Sequence, residues 1–432
     1  MEKLKQTALY VLDALRNAGA DAAQCSVSDG KKEEFNIDAG AFSLLRSVFN
    51  SGVSMKVLKD GKMGQAFINS LEKEDIDAAA LECVQAAEAS VADDAYCIAA
   101  FTENADFTDG TTKPDRDRFF DRVREFLDEI GQEFPKIMVE QIIAEYVEGQ
   151  SVFANTNGVL YTQRNANYSV GAMYSAHEDE LTTSFNSFDV DFTDPDSHIM
   201  DLGSCREMFA RCEAELAMQP LEGKFEGIAL FSPACLDGML SMVVDNFCSD
   251  SVIVEETSPW RDQLGKKVAC DSFSLQVIAH DPRVVCGERV TDDGYISKDY
   301  DIIKDGVLQE FCLSEYAANK SGLTRAPSSS SCIGVPAGDK TFDELLGGIE
   351  KGILVCRFSG GEPATNGDFS GVAKNSFYIE NGKIAFPVSE TMISGNLSAM
   401  LKNIVGISSE VCCDGTTVLP YVAFGGITVS GT

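Results

Sequence analysis

Histidine is scarce in this chain: His177, His198 and His280 are the only three among 432 residues. No two of them stand three or four positions apart, so no helix turn can present two imidazoles to one metal ion. The sequence also contains no Cys-x-x-Cys pair and no Gly-x-Ser-x-Gly elbow. These absences argue against a histidine-based catalytic metal site and against a hydrolase nucleophile turn. We expect the three histidines to be exposed loop residues.

Long apolar segments are missing as well. No uninterrupted apolar run approaches the roughly 20 residues that cross a bilayer, so we predict no membrane association. The first residues begin an amphipathic segment and lack the apolar stretch of a signal peptide. The 14 cysteines are scattered from Cys25 to Cys413, which is typical of reduced thiols. The sequence therefore predicts a cytoplasmic protein.

Basic residues are outnumbered by acidic ones, 35 to 68, which gives a formal net charge of −33. A surface of this charge repels phosphate backbones and anionic lipid head groups. Direct binding to nucleic acid is therefore disfavoured, whereas basic or neutral polypeptides remain suitable partners. The apolar fraction of 44% is ordinary for a globular protein, and the length suffices for two or three domains.

The periodicity of the first half predicts an N-terminal α/β domain, residues 1–220, with an antiparallel sheet and flanking helices. Ser70 is the predicted cap of the second helix, the Asp-rich segment 189–199 is a predicted loop, and Pro220 to Gly223 is the predicted boundary. The predicted helices cover 3–18, 71–89, 115–131 and about 200–218; the predicted strands cover 34–38, 43–49, 52–58, 62–68, 137–146, 152–155, 159–163 and 168–174.

Residues 221–432 are predicted to form a C-terminal domain that is mainly β and sandwich-like or barrel-like, which makes the whole chain α+β. A strand at 227–231 and a helix at 233–247 open it, and Asn381-Gly382 is one of its predicted hairpin turns. Two short helices are predicted to interrupt the strands. One follows a capping box at Thr341, and the other begins after Asn396.

Two pairs of cysteines are close in sequence and are candidate thiol sites. Cys205 and Cys212 share a helical face but lie about 10 Å apart at about 1.5 Å per residue, too far to hold one ion, so we predict core thiols. Cys412 and Cys413 are adjacent, and a strand would direct one thiol to the core and the other to a cleft. Cys413 is therefore a candidate functional thiol.

The most distinctive local pattern is 359–396, a Gly-rich polar loop followed by a hairpin and a helix start. Glycines let another backbone approach closely, and a polar loop beside exposed strand edges can take a peptide as an added strand. Taken alone, the pattern favours ordinary turns of a β-sandwich.

Six short segments give that pattern a wider context: Asp301–Leu308, Ser314–Ala318, Gly367–Ser370, Tyr378–Gly382, Pro387–Glu390 and Ser394–Leu397. Together they resemble the signature of the TldD/PmbA family, also called the modulator-of-DNA-gyrase or peptidase U62 family. The N-terminal order of helix, strands and helix is similar too, so the resemblance spans nearly the whole chain.

The resemblance implies one of two subunit types. TldD-like chains carry His-Glu-x-x-x-His on a helix early in the C-terminal domain and bind zinc there, whereas TldE/PmbA-like chains lack the motif and pair with the first type. In this chain Met242, Val243 and Phe247 occupy the three motif positions. The resemblance thus implies a TldE/PmbA-like subunit with no metal of its own, zinc being expected in a TldD-type partner. Cys413 falls near a cysteine ligand of TldD chains.

The family further implies a cytosolic heterodimeric protease that degrades unfolded or leader peptides, with the peptide held in extended form between the subunits. Our leading hypothesis is the metal-free subunit of such a protease. A stand-alone peptidase using Cys413 with Asp or Glu partners, and a homodimeric peptide-binding protein without catalysis, remain alternatives. The predicted peptide groove is formed by Gly360, Gly361, Asp368, Phe369, Ser370, Ser389, Gly395 and Asn396.

Overall fold

A computed structural model describes residues 1–111, 113–285 and 287–431. The first half alternates helices with long strands, and two 3₁₀ turns, Ile199–Asp201 and Glu215–Ala217, flank its last helix. Its elements are α1 (Glu2–Asn17), β1 (Ala22–Asp38), β2 (Ala41–Lys59), β3 (Lys62–Ile68), α2 (Lys73–Ala89), β4 (Ala105–Gly110), α3 (Arg116–Glu133), β5 (Ile137–Asn155), β6 (Leu160–Glu178), β7 (Leu181–Thr182), β8 (Asn186–Phe192) and α4 (Cys205–Ala214).

The strands of the first half form one eight-stranded sheet in the order β3-β2-β1-β5-β6-β4, with β7 and β8 also paired to β6. Every pairing is antiparallel except β4 with β6. Helices α1 and α2 cover one part of the sheet around Val11, Val27 and Val84. Helices α3 and α4 cover another part, where Phe126 and Phe209 are buried. The predicted antiparallel sheet with flanking helices is confirmed.

Several predicted strands merge into longer ones. The segments 43–49 and 52–58 belong to one strand, β2, because Asn50 and Ser51 keep their register with Gly30 and Asp29 of β1. These two polar residues interrupt the apolar pattern of the sequence, but the backbone pairing of β2 with β1 continues through them. The same applies to β5, which joins the two predicted segments 137–146 and 152–155.

Two local predictions in this half are wrong. Ser70 does not cap α2, which begins at Lys73 with Glu72 at the N-cap; the Ser70 hydroxyl instead accepts from the Glu72 amide at 3.2 Å. Residues 189–192 of the predicted loop belong to β8, where Val190 and Phe192 point into the core and alternate with aspartates. That alternation is a strand pattern, which the high aspartate content masked.

The second half contains fourteen strands in one sheet and five helices among the described residues. Its elements are β9 (Gln219–Pro220), β10 (Lys224–Phe231), α5 (Pro233–Phe247), α6 (Asp250–Val254), β11 (Leu275–Val277), β12 (Tyr300–Lys304), β13 (Val307–Leu308), α7 (Glu315–Ser321), β14 (Ile333–Gly334), α8 (Phe342–Gly347), β15 (Lys351–Val355), β16 (Arg357–Gly360), β17 (Asp368–Lys374), β18 (Phe377–Glu380), β19 (Lys383–Ser389), β20 (Met392–Asn396), α9 (Leu397–Lys402), β21 (Ile404–Cys413) and β22 (Val418–Ser430).

This half is mainly β, as predicted, and the chain is α+β. Strand β22 is its hub, since β10, β14, β20 and β21 all pair with it. The capping box at Thr341 is present and begins α8, and Asn396 caps α9. Helices α6 and α7 were not expected; they have five and seven residues, too few for a clear apolar period.

Polar contacts join the two halves where β8 and α4 approach α5 and β16. Arg357 of β16 donates to the Phe185 carbonyl oxygen at 3.1 Å, and Arg211 of α4 donates to the Tyr421 hydroxyl at 2.7 Å. Elsewhere Arg289 forms a two-pronged ion pair with Asp109. None of the described helices combines the length and apolarity needed to span a bilayer.

Candidate functional site

Helix α5 carries Met242, Val243 and Phe247, the three residues predicted to stand at the metal-motif positions of a TldD-like chain. It begins at Pro233, a residue that favours the first turn of a helix, and ends at Phe247 as predicted. Val243 and Phe247 are buried in the core, 1% and 0% exposed, and Phe247 stacks on Trp260 with ring centroids 4.6 Å apart. Met242 is the only one of the three that lines a cavity.

That space, here called the motif-helix cavity, has a volume of about 210 Å³ and lies between the two halves of the chain. Its walls come from β8, from α4 and the turn after it, from α5 and from β16. The principal lining side chains are Asn186, Arg211, Glu215, Met239, Met242, Phe358 and Asn375. Three thioethers line it, since Met208 belongs to the wall as well, which makes the apolar part of the wall soft and adaptable.

Glu215 is the most unusual group in the motif-helix cavity. It is only 3% exposed, and the Asn375 side-chain amide donates to both of its carboxyl oxygens at 2.9 Å. Burial raises the pKa of Glu215 to about 7, although hydrogen bonds from Asn375 and Asn186 and the charge of Arg357 oppose the rise. The carboxyl can therefore gain or lose a proton near neutral pH.

Sequence reasoning missed Glu215, although a signal was present. Cys205, Phe209 and Cys212 mark the buried face of α4, and Glu215 continues that face one turn further. An acid at an apolar position of a helix is unusual and marks a buried, partnered carboxyl. Its partner Asn375, 160 residues away, carries no comparable signal.

The two nearby arginines are engaged with other groups. Arg211 pairs with Glu207 at 3.1 Å as well as donating to Tyr421, and Arg357 lies over the Phe185 ring at 5.1 Å. In the part of the chain that the structure describes, no lysine or arginine forms an ion pair with Glu215. The hydrogen bonds to the carboxyl thus come from amide donors, and the charge of Arg357 acts on it without an ion pair.

Most of the predicted groove residues lie together on strands β16, β17 and β20. Phe369 pairs with Gly395, Ser370 pairs with Ser394, and Asp368 pairs with Asn396. The Asn396 side chain donates to Asp368 at 2.9 Å, and this bond holds the pKa of the Asp368 carboxyl below its usual range.

The remaining groove candidates differ in their placement. Gly360 ends β16 and pairs with Gly371, and Gly361 begins the exposed loop that follows. Ser389 ends β19 and pairs in parallel with Pro220, so strand pairing does not join it to the others. A groove that includes all eight predicted residues stays a prediction.

Strand β16 offers an open backbone edge next to the cavity. It pairs with β17 on one side, and no described strand pairs with its other side. Arg357 and Phe358 of this strand also line the motif-helix cavity. Unpaired amide and carbonyl groups on an edge strand are a template for an added peptide strand.

Cys413 lies away from the Met242 end of α5. Its thiol donates to the Arg283 carbonyl oxygen at 3.5 Å, and burial raises its pKa, which keeps the thiol protonated at neutral pH. The Cys412 thiol lies 3.2 Å from the Ser204 hydroxyl. Cys205 and Cys212 are 1% exposed, so the prediction of core thiols is confirmed.

The histidines differ from the expectation of three exposed loop residues. His177 is exposed but lies in β6, whereas His198 is half-buried between Glu129 at 2.8 Å and Asp201 at 2.7 Å. His280 is half-buried with an unpartnered Nε2. No group of three or more His, Cys, Asp or Glu side chains suited to a metal ion is found among the described residues.

Comparison with known proteins supplies the family context. Residues 226–431 match the model of the PmbA/TldA metallopeptidase C-terminal domain, and residues 23–90 match PmbA/TldA metallopeptidase domain 1. Together the two matches cover more than half of the chain.

Curated relatives carry related names. The chain is 26% identical over 291 residues to the metalloprotease PmbA of Escherichia coli O157:H7, an alignment that covers 64% of this chain and 63% of that protein. It is 30% identical over 291 residues to a metalloprotease PmbA homolog of Buchnera aphidicola, covering 65% and 63%. These alignments span just under two thirds of the relatives' length.

A solved structure matches nearly the whole fold. TldE from Thermococcus kodakarensis superimposes with a TM-score of 0.83 at 16% identity, covering 98% of this chain and 100% of that one. At this identity the likeness concerns the fold.

Proposed function

Because the chain belongs to the PmbA/TldD metallopeptidase family, we propose that it is a TldE/PmbA-like subunit without a catalytic metal, acting in a protease whose zinc is held by a TldD-like partner. The complex degrades unfolded or leader peptides. This chain shapes the peptide chamber and supplies no metal ligand. Peptide hydrolysis itself takes place at the zinc site of the partner.

The observation that carries the proposal is the state of α5. Two of the three motif positions, Val243 and Phe247, are packed into the core, and the third, Met242, offers only a thioether. Peptide hydrolysis by a zinc site needs imidazole or carboxylate ligands and a base beside the bound water. These three side chains provide neither.

The peptide-binding part of the proposal is supported by β16. An extended peptide can pair with the open edge of this strand, with Gly360 and Gly361 allowing its backbone to approach closely. Asp368, Ser370 and Asn396 then lie on the adjoining strands as polar contacts. Main-chain bonds of this kind accept many sequences, which suits a protease for unfolded peptides.

The proposed setting is the cytoplasm, with polypeptide partners only. All thirteen described cysteines are free, which suits a reducing compartment. The net charge of −33 disfavours contact with nucleic acid and with anionic membranes.

The test is to purify the full chain alone and together with a His-Glu-x-x-x-His family member from the same genome. Zinc content and cleavage of an unfolded peptide are measured for each preparation. We expect zinc and activity only in the complex, and loss of both when the first motif histidine of the partner is replaced by alanine.

Stoichiometric zinc with peptidase activity in the isolated chain would overturn the proposal. Loss of that activity in Cys413→Ala would then favour the stand-alone peptidase. Isolation of a homodimer from the native host, without any His-Glu-x-x-x-His chain, would favour the peptide-binding alternative.

A further inference from the structure

Two residues of the motif-helix cavity wall, Glu215 and Asn375, carry buried hydrogen-bond acceptors. Glu215 is 3% exposed and receives only amide donors, and the Asn375 Oδ1 atom is buried with no donor at all. A buried acceptor without a donor is unfavourable, and so is a buried carboxylate that has no ion-pair partner in contact with it. Both deficits are relieved by one incoming group that carries several N–H donors and a positive charge.

The rest of the wall suits the stem of such a group. Met208, Met239 and Met242 supply flexible apolar surface, and Gly238 leaves room on α5. A long aliphatic chain with a cationic tip can pack along the thioethers while its tip reaches the carboxyl. The volume of about 210 Å³ is large enough for a single side chain and too small for a folded segment.

The position of the cavity indicates how that side chain arrives. Arg357 and Phe358 belong both to the cavity wall and to β16, whose open edge is the proposed peptide site. Side chains of an added strand alternate between two directions, so every second one is directed toward the same side of the strand.

We propose that the motif-helix cavity is a specificity pocket for a lysine or arginine side chain of a peptide bound along β16, with Glu215 and Asn375 as the residues that bind its cationic tip. The inference rests on the proposed peptide-binding function and adds a substrate preference to it. A cationic peptide also suits the charge of −33.

Ionisation of Glu215 sets the pH dependence of the preference. The other groups that face it are Tyr174, Cys212, Cys356 and Arg357, of which Arg357 alone is charged at neutral pH. Burial raises the pKa of Glu215 to about 7, so the carboxylate form grows between pH 6 and pH 8 while a lysine side chain stays protonated. The preference for a cationic side chain should increase over the same interval.

The experiment uses the full chain and two short extended peptides that are identical except for one central residue, lysine or its uncharged isostere norleucine. Dissociation constants are measured calorimetrically at pH 8. We expect the lysine peptide to bind about tenfold more tightly, a difference of about 1.4 kcal/mol. We expect this preference to vanish in Glu215→Gln and to persist in Glu222→Gln, a matched change of an exposed carboxylate.

A second arm replaces the peptide by n-butylammonium, with 1-butanol as the uncharged control, and follows the unfolding temperature of the wild type and of Glu215→Gln. Stabilisation by the amine in the wild type, but not in Glu215→Gln, supports the cation site. If neither peptide binds in that case, the peptide groove is rejected and the cation pocket is retained. Amine binding combined with equal affinity for both peptides identifies a free amine as the ligand and overturns the peptide subsite. Equal peptide affinities with no amine effect overturn the whole inference, and so does a lysine preference that survives in Glu215→Gln.

Discussion

Replacing Glu215 by glutamine should make this protein more stable at neutral and alkaline pH. The substitution keeps the shape of the side chain and one acceptor for the Asn375 amide, which donates to both carboxyl oxygens at 2.9 Å. It removes the ability to carry a charge and replaces one carboxyl oxygen by an NH2 group, so one of the two bonds from Asn375 is lost at every pH. The pH dependence of the stability difference therefore reports the cost of holding an ionised carboxyl that is 3% exposed.

The magnitude follows from the shift in pKa. Burial raises the pKa of Glu215 from 4.5 to about 7, and each unit corresponds to about 1.4 kcal/mol, so ionisation in the folded state costs about 3 kcal/mol. The folded pKa lies above the unfolded one. The protonated form is therefore the stabilising form: its contribution is complete below about pH 4.5 and is lost as the pH rises through about 7.

The assay is urea unfolding of the wild type, Glu215→Gln and the exposed control Glu222→Gln at pH 5, 6, 7 and 8. Trp260, the only tryptophan, reports unfolding by its fluorescence. We expect the stability of Glu215→Gln relative to the wild type to rise by about 2–3 kcal/mol from pH 5 to pH 8, and Glu222→Gln to follow the wild type. A constant difference between Glu215→Gln and the wild type at all four pH values would refute the assignment of a buried, weakly compensated carboxyl.

Three further outcomes follow from single contacts. Phe247→Ala should lower the free energy of unfolding by about 3–5 kcal/mol, because it removes a buried ring stacked on Trp260, and Phe247→Leu should cost less; equal losses would contradict the stacking argument. Asn396→Ala should cost about 1–2 kcal/mol, because it removes the α9 cap and the bonds to Asp368 and the Asn366 carbonyl oxygen, whereas Asn396→Ser should restore the cap alone, as judged by urea unfolding. Cys413→Ala should leave the peptidase activity of the complex unchanged, and Cys413 should react with a thiol reagent at pH 7.5 more slowly than free cysteine, since burial raises its pKa.

Much of the fold is local and could be predicted from the sequence. Helix α5 has the bounds that its apolar pattern indicates, and the turns at Asp60-Gly61 and Asn381-Gly382 have the positive φ values that their residues favour. The capping box of α8 is a contact between positions three residues apart. In each case the decisive interaction lies within a few residues of the signal.

Other features depend on what a segment packs against. Residues 189–192 belong to strand β8 because they pair with the long strand β6. The segment itself carries no information about the length of β6. Ser70 does not cap α2 because the helix begins at Lys73. The Ser70 hydroxyl accepts from the Glu72 amide in the turn before the helix instead. Tertiary pairing decided the first outcome, whereas a local turn decided the second.

The candidate site also combines features that are local in sequence with features that depend on tertiary contacts. The sequence placed Met242, Val243 and Phe247 on one helix, and the helix formed. It could not show that Glu215 meets Asn375 across 160 residues, or that β16 keeps an open edge beside them. Such contacts arise from the arrangement of two sheets, and periodicity within a segment carries no information about them.

The packing of α5 bears on the proposed absence of metal ligands. Val243 and Phe247 are 1% and 0% exposed, and the Phe247 ring also fills the space beside Gly367. A glutamate and a histidine at these two positions would have to be buried without water, at a cost of several kcal/mol for each unpaired polar group. Helix α5, which we propose corresponds to the metal-bearing helix of a TldD-like chain, is a core element of the C-terminal half. The cavity beside α5 receives polar side chains from other parts of the chain, among them Glu215 and Asn375, which we propose bind a cationic group of a peptide.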